Sequence, residues 1–208
     1  PGRILRVAQE LNADIIALQE VDFPRQDHAP IAPWLAQKTG MIAIGGPVWS
    51  REGVGYGNAL LSRYPVDRVR RWDLSVGRHE PRGALDVELT ICGRTVHVLN
   101  THLGLWPRER PQQADRLLEL LSLSRRDLTI LMGDLNEWHG WGKSLRGLRR
   151  VFGSPAAPVT FPARWPVLAL DRIWISPAQA LLTVEAHNTP RSRLASDHLP
   201  VKADLYLR

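Results

Sequence analysis

The sequence predicts an α/β protein, a four-layer αββα sandwich of two mixed β-sheets flanked by helices. Three observations predict it. Short apolar stretches of strand length recur between stretches of helical periodicity; some neighbouring strands are joined by tight turns and others by helices; and 208 residues, 44% of them hydrophobic, suffice for one continuous core. A chain of this length buries roughly 70% of its unfolded surface as one unit, so 1–208 is expected to form a single domain.

The elements follow in order. Ile4, Leu5, Val7, Ala8 and Leu11 have helical spacing, and Asn12-Ala13-Asp14 then turns the chain into the apolar run Ile15 to Leu18. Ala29 to Thr39 reads as a helix closed by Gly40, Gly45-Gly46-Pro47 and Gly53 to Gly57 read as loops, and Asn58 to Ser62 reads as a strand. Alternation at Leu85, Val87 and Leu89 and again at Val96 and Val98 predicts an antiparallel hairpin turning at Gly93. Arg108 to Ser124 carries leucines on one side of a helix, Leu128 to Met132 is a buried strand, and Glu137 to Val151 is a second helix. Gly153 to Pro166 is a proline-rich loop, and strands are expected over Leu170 to Ile175, Leu181 to Ala186 and Val201 to Leu205.

Composition excludes several function classes. No run approaches the ~20 uninterrupted apolar residues of a membrane span. The single cysteine, Cys92, excludes an internal disulfide and a multi-cysteine zinc site, and its strand-like setting suggests a plain buried thiol. A net charge of +6 draws polyanions. The 24 arginines against 3 lysines are scattered, however, with short clusters only at Arg68 to Arg71 and Arg146 to Arg150. No charged segment followed by an apolar signal core opens the sequence, which favours the cytoplasm slightly and otherwise leaves the compartment open. No protein-partner motif is visible.

The suggestive residues fall where apolar runs end: Gln19-Glu20, Asn100-Thr101-His102, Gly133-Asp134-Leu135-Asn136, Asp171 at the head of a strand, and Ser196-Asp197-His198 before the last one. Each alone suits a turn, a solvated exit or a satisfied histidine. Together they are the parts that phosphate hydrolysis needs. A phosphoester repels hydroxide, so a hard cation such as Mg²⁺ or Mn²⁺ must neutralise it, and Glu20 and Asp197 suit that ion. Asp134 could deprotonate an in-line water that Asn136 positions. His198, held by Asp171, supplies a charged donor with raised pKa, and His102 a second donor or a general acid. Arg82 could clamp a phosphate oxygen, with Asn100 beside the site on the substrate side.

These motifs resemble those of the endonuclease/exonuclease/phosphatase superfamily over nearly the whole chain. Leu18-Gln19-Glu20 is similar to its metal-binding glutamate motif, Asn100-Thr101-His102-Leu103 to its central histidine motif, and Gly133-Asp134-Leu135-Asn136 to its Gly-Asp-X-Asn motif. Leu170-Asp171-Arg172-Ile173 and Ser196-Asp197-His198 resemble the aspartate strand and the terminal motif, with Thr160-Phe161-Pro162 ahead of them. The resemblance implies metal at Glu20 and Asp197, nucleophilic water at Asp134 and Asn136, and phosphate facing Asp171 and His198. A histidine at 102 looks more like the deoxyribonuclease and sphingomyelinase branches than the apurinic endonucleases. Members normally begin with a strand bearing a metal-binding Asn, whereas this sequence opens on the helix after it, so that first strand is expected to be missing.

The expected activity is thus a metal-dependent phosphoesterase without a covalent intermediate, with DNA or RNA, a lipid or inositol phosphate among the substrates it would suit. Trp106, Trp138 and Trp141, beside the site, could stack a base or meet a lipid. The rival from another class is a non-catalytic module of the same fold that binds nucleic acid or protein. A degenerate module usually loses an aspartate or histidine, and none is lost here.

Overall fold

The structure is a computed structural model, and it describes residues 1–23, 30–49, 55–122 and 127–207. Helical spacing buries Val7, Ala8 and Leu11 on one face of α1 (Gly2–Leu11), and Asn12, left-handed at φ 45°, stops it. The apolar run behind it opens β1 (Ile15–Phe23). Then come α2 (Ile31–Thr39), closed by Gly40 at φ 69°, and the strands β2 (Ile42–Trp49), β3 (Gly55–Ser62) and β4 (Val66–Asp73). The expected hairpin is β5 (Gly83–Ile91) with β6 (Arg94–His102), followed by α3 (Arg110–Ser122), β7 (Leu128–Asp134) and α4 (Lys143–Phe152). The chain closes with β8 (Asp171–Ser176), β9 (Leu181–Ala186), the single turn α5 (Ser192–Ala195) and β10 (Val201–Leu205).

The larger sheet has the order β4-β5-β6-β7-β8 and is mixed, because β6 and β7 run parallel across the α3 connection while the other pairs are antiparallel. Facing it lie two antiparallel ribbons, β1-β3-β2 and β10-β9. Leu85, Val87, Leu89, Val96 and Val98 interlock with Ile44 and Leu60 between the sheets. Leu35 and Ala36 of α2 pack on Ile16 and Leu61 outside one layer, and Leu117 of α3 with Leu145 and Leu148 of α4 cover Leu99 and Leu131 outside the other. The four layers are therefore helix, sheet, sheet, helix, as the sequence predicts, with mixed pairing confined to the larger sheet.

Among the described residues, β1 is paired only with β3, and β10 only with β9. A cavity of about 550 Å³ runs between these two strands, lined by Ile15, Ala17, Val201 and Ala203 and reaching Asp171 and His198. No helix of the described residues is long and apolar enough to cross a membrane.

Several local expectations are corrected. Gly45-Gly46-Pro47 is inside β2 rather than a loop, because β2 is an edge strand, where proline's missing donor costs no ladder bond. A Cβ on Gly57, opposite Pro47, would collide with the Gly46 carbonyl, so glycine is what lets these strands approach. Of the predicted loop Gly53 to Gly57, residues 53 and 54 lie outside the described residues, and the remainder is β3. Ala29, Leu123 and Ser124, at the ends of two predicted helices, also lie outside them. The helix expected from Glu137 begins only at Lys143, since Glu137 to Gly142 form a buried-acid loop. Cys92 is exposed, because Cys92 at φ 51° and Gly93 at φ 76° form the two-residue hairpin turn that requires positive φ at both positions. The Arg68 to Arg71 cluster is spent on the protein itself: Arg70 pairs with Asp86 at 3.1 Å and Glu88 at 2.6 Å, and Arg71 donates to the Gly45 carbonyl.

Candidate active site

Register places the site. His102 lies opposite Asp134 across β6 and β7, and Asp134 opposite Asp171 across β7 and β8, so three adjacent strands deliver three functional groups at one end of the large sheet. The close approach depends on Gly133, whose φ of 141° and lack of Cβ let its backbone meet the Thr101 carbonyl. Asn136 then adopts the left-handed region at φ 50°, which turns its amide back toward His102.

That amide fixes the state of His102. Asn136 Nδ2 donates to the Leu103 carbonyl at 2.9 Å, so the atom 3.0 Å from His102 Nε2 is also a donor, and Nε2 must accept. The proton sits on Nδ1, which is buried, 4.0 Å from Glu20 Oε1 and without a hydrogen-bond partner among the described residues. Burial first, then the charges of Arg82 and His198, push the His102 pKa down to about 3. His102 is accordingly neutral with its proton on Nδ1, and its 3.6 Å separation from Asp134 Oδ2 is no ion pair.

Asp134 is 7% exposed and accepts the Asn136 backbone N–H at 2.7 Å. Burial, with the negative charge of Asp171 next, pushes its pKa up to about 6. His198 Nδ1 donates to Asp171 Oδ2 at 2.8 Å, and Thr160 Oγ1 donates to the same oxygen. Burial works against the imidazolium, but the hydrogen bond and charge of Asp171, with Asp134 and Asp197 behind them, outweigh it and lift His198 to about 9. One ligand-type atom each of Asp134, Asp171 and His198 lie within 4.8 Å of one another.

The expected cation ligands border this cluster rather than belong to it. Glu20 stands on a bulge where the β1–β3 register shifts between Leu18 and Val21, left-handed at φ 57°, and its carboxylate is largely exposed. Asp197 is exposed on the loop before β10. Arg82 is 4% exposed; Glu80 takes Nη2 at 2.9 Å, while Nε and Nη1 are buried without partners among the described residues. It lines a small cleft together with Tyr56 and His102. Asn100 requires a correction. Its side chain is fully buried, accepts from Gln19 and donates to the carbonyls of Leu18 and Ala59, so it ties β6 to the opposite sheet instead of meeting a substrate.

The sequence profile of the Endonuclease/Exonuclease/phosphatase family matches residues 1–198. The chain belongs to that family. The Escherichia coli (strain K12) protein YbhP, itself uncharacterized, is 31% identical over 217 residues, covering 95% of this chain and 85% of YbhP. Among solved structures, an endonuclease/exonuclease/phosphatase family protein from Leptotrichia buccalis superposes with a TM-score of 0.80 at 15% identity, over 99% of this chain and 92% of its own. The mannosyl-6-phosphatase Bt3783 of Bacteroides thetaiotaomicron gives 0.78 at 18% identity, over 98% and 89%. At such identities these two likenesses are of fold.

In this member of the endonuclease/exonuclease/phosphatase family, sequence reasoning missed Tyr56, Glu137 and Arg110. The Tyr56 hydroxyl donates to Glu20; burial first, and then the Glu20 charge, raise its pKa. Glu137 is buried, accepts from Ser144 Oγ at 2.5 Å and lies 3.6 Å from Arg110 Nε, while Arg110 Nη1 donates to the Leu105 carbonyl at 2.6 Å. Arg110 and Glu137 thereby lash the loop after His102 to the loop after Asp134. An acid one residue beyond the Gly-Asp-Leu-Asn turn was the available signal for Glu137. Tyr56 carried none.

Proposed function

We propose that the chain hydrolyses phosphoester bonds with Mg²⁺ or Mn²⁺, by in-line attack of a water activated at Asp134. The observation that carries this reading is the meeting of Asp134, Asp171 and His198 within 4.8 Å, a base poised near neutrality beside a charged donor. Asp134 takes the proton of the water, and Asn136 orients it. His198, its Nδ1 held by Asp171, offers Nε2–H to a phosphoryl oxygen, and His102 Nδ1–H and the free N–H groups of Arg82 offer further donors. Glu20 and Asp197 would hold the cation. The donor set fits a hard ion: Asp171 and Glu20 both raise the Asp134 pKa, a crowding of negative oxygen that a divalent cation relieves. When bound, such an ion neutralises the phosphate and stabilises charge on the leaving oxygen.

The resemblance at His102 favours the deoxyribonuclease and sphingomyelinase branches, so DNA, RNA and lipid phosphodiesters are the candidate substrates. The name of the neighbour Bt3783 adds a phosphomonoester to the panel. Turnover of bis-(p-nitrophenyl) phosphate, p-nitrophenyl phosphate and plasmid DNA should require Mg²⁺ or Mn²⁺, vanish in EDTA and return on adding the ion back. Turnover indifferent to EDTA overturns the metal role. Arg82→Gln should raise KM roughly 10- to 100-fold, the worth of a hydrogen bond to a charged group. An unchanged KM would remove Arg82 from the phosphate.

We also propose that an extended segment upstream of residue 1 lies between β1 and β10, where two unpaired edges flank one cavity. A version carrying the upstream residues should then melt higher and turn over faster than this chain. Equal melting would refute the segment, and silence from both versions on every substrate would favour the binding-module rival.

A further inference from the structure

Three loops leave the large sheet at the end that carries the site: 103–109 after His102, 135–142 after Asp134, and 159–170 before Asp171. Among the described residues, seven large apolar side chains are more than 60% exposed, and six of them stand on these loops. They are Trp165 at 81%, Trp141 at 79%, Val167 at 70%, Leu105 at 65%, and Trp106 and Trp138 at 61% each. Apolar surface on that scale, gathered on one face, marks a place of interaction.

The charges on the same loops have one sign. Arg108 and Arg164, with Lys143 at the start of α4, are exposed, whereas the two acids, Glu109 and Glu137, are buried. Of the exposed acids at this end, Glu20 and Asp197 belong to the cation site proposed above, and Glu80 is paired with Arg82. A face that is apolar and cationic suits an anionic amphiphile.

Two partners have that chemistry, a lipid surface and single-stranded nucleic acid. A stacking platform presents ring faces along a basic groove. Here the rings are spread over three loops and are accompanied by Leu105 and Val167, which have no face to stack. Tryptophan with aliphatic neighbours and cations at the margin is the composition of a membrane interface.

We propose that this face docks on an anionic lipid surface and presents a lipid phosphoester to the site. The choice of substrate rests on the phosphoesterase reading above; the docking does not. Sedimentation with phosphatidylcholine vesicles, with and without an equal share of phosphatidylglycerol, tests the docking directly, with tryptophan emission as a second readout. The intact chain should sediment with the anionic vesicles and shift its emission to the blue. Trp141→Ala with Trp165→Ala should weaken partitioning at least tenfold, and Arg108→Gln, Lys143→Gln and Arg164→Gln together should cost about fivefold per charge and erase the preference for anionic lipid. Both variants should retain the far-UV circular dichroism of the parent and its turnover of soluble bis-(p-nitrophenyl) phosphate. No sedimentation of the intact chain, or sedimentation that survives the tryptophan changes, would overturn the proposal. Emission that responds to an oligothymidylate and not to vesicles would assign the face to nucleic acid instead. Vesicle binding without hydrolysis of the lipid would leave the docking standing and refute the lipid substrate, whereas silence on every soluble substrate as well would refute the phosphoesterase reading.

Discussion

Asp134→Asn is expected to lower kcat on bis-(p-nitrophenyl) phosphate by about 10²- to 10⁴-fold, the usual worth of a general base. The amide oxygen can still accept the Asn136 N–H, so the turn that positions the water survives. KM should therefore change little. Stability should hold or rise, and the sign follows from linkage. The folded-state pKa of Asp134 is raised from 3.8 to about 6, so the folded protein holds this proton more tightly than the unfolded chain does. Its contribution falls as pH climbs through that window, and at pH 7 the charged carboxylate is a burden that Asn lacks. A kcat within tenfold of the parent, or a melting temperature that collapses, would remove Asp134 from the role of base.

The second large effect is in pH. Turnover should rise as Asp134 loses its proton near pH 6 and fall as His198 loses its own near pH 9, giving a plateau between. Asp171→Asn removes the negative charge that holds His198 up and leaves at most a neutral amide acceptor, with burial pushing the other way. The alkaline limb should move down toward the ordinary histidine value near 6.5, and the rate at pH 8 should drop on the order of 10²-fold. The loss should shrink as the pH is lowered. An alkaline limb that stays in place would mean that Asp171 does not govern His198.

The site was legible where a polar residue ends an apolar run without a structural reason to be there. His102, Asp134 and Asn136 announced themselves that way, Asp171 and His198 by their places within and ahead of the closing strands, and parallel and antiparallel register then brings the three strands' groups together. Arg82 stood among 24 arginines and was singled out only by its place before a hairpin. Its burial with two unpartnered N–H groups is a property of tertiary packing. Tyr56 follows from the β1–β3 pairing, which no local pattern encodes. The fold was legible through its apolar strands and not through its edges. β4 escaped because its core-packed residues Val66, Val69 and Trp72 are interrupted by arginines, and an arginine-rich edge strand looks like a solvated cluster. Asn100 misled because an amide at a strand end serves equally well to bridge two sheets.

Among the described residues, four other than glycine have positive φ, and two of them, Glu20 and Asn136, are in the site. Such conformations cost on the order of 1–3 kcal/mol each unless glycine relieves them. Selection for heat resistance alone would therefore tend to favour glycine at position 20, trading the carboxylate for a relaxed backbone. A stabilised library of this protein should lose activity first at the positions where its backbone is least comfortable, which makes those positions a marker for what the lineage has been required to keep.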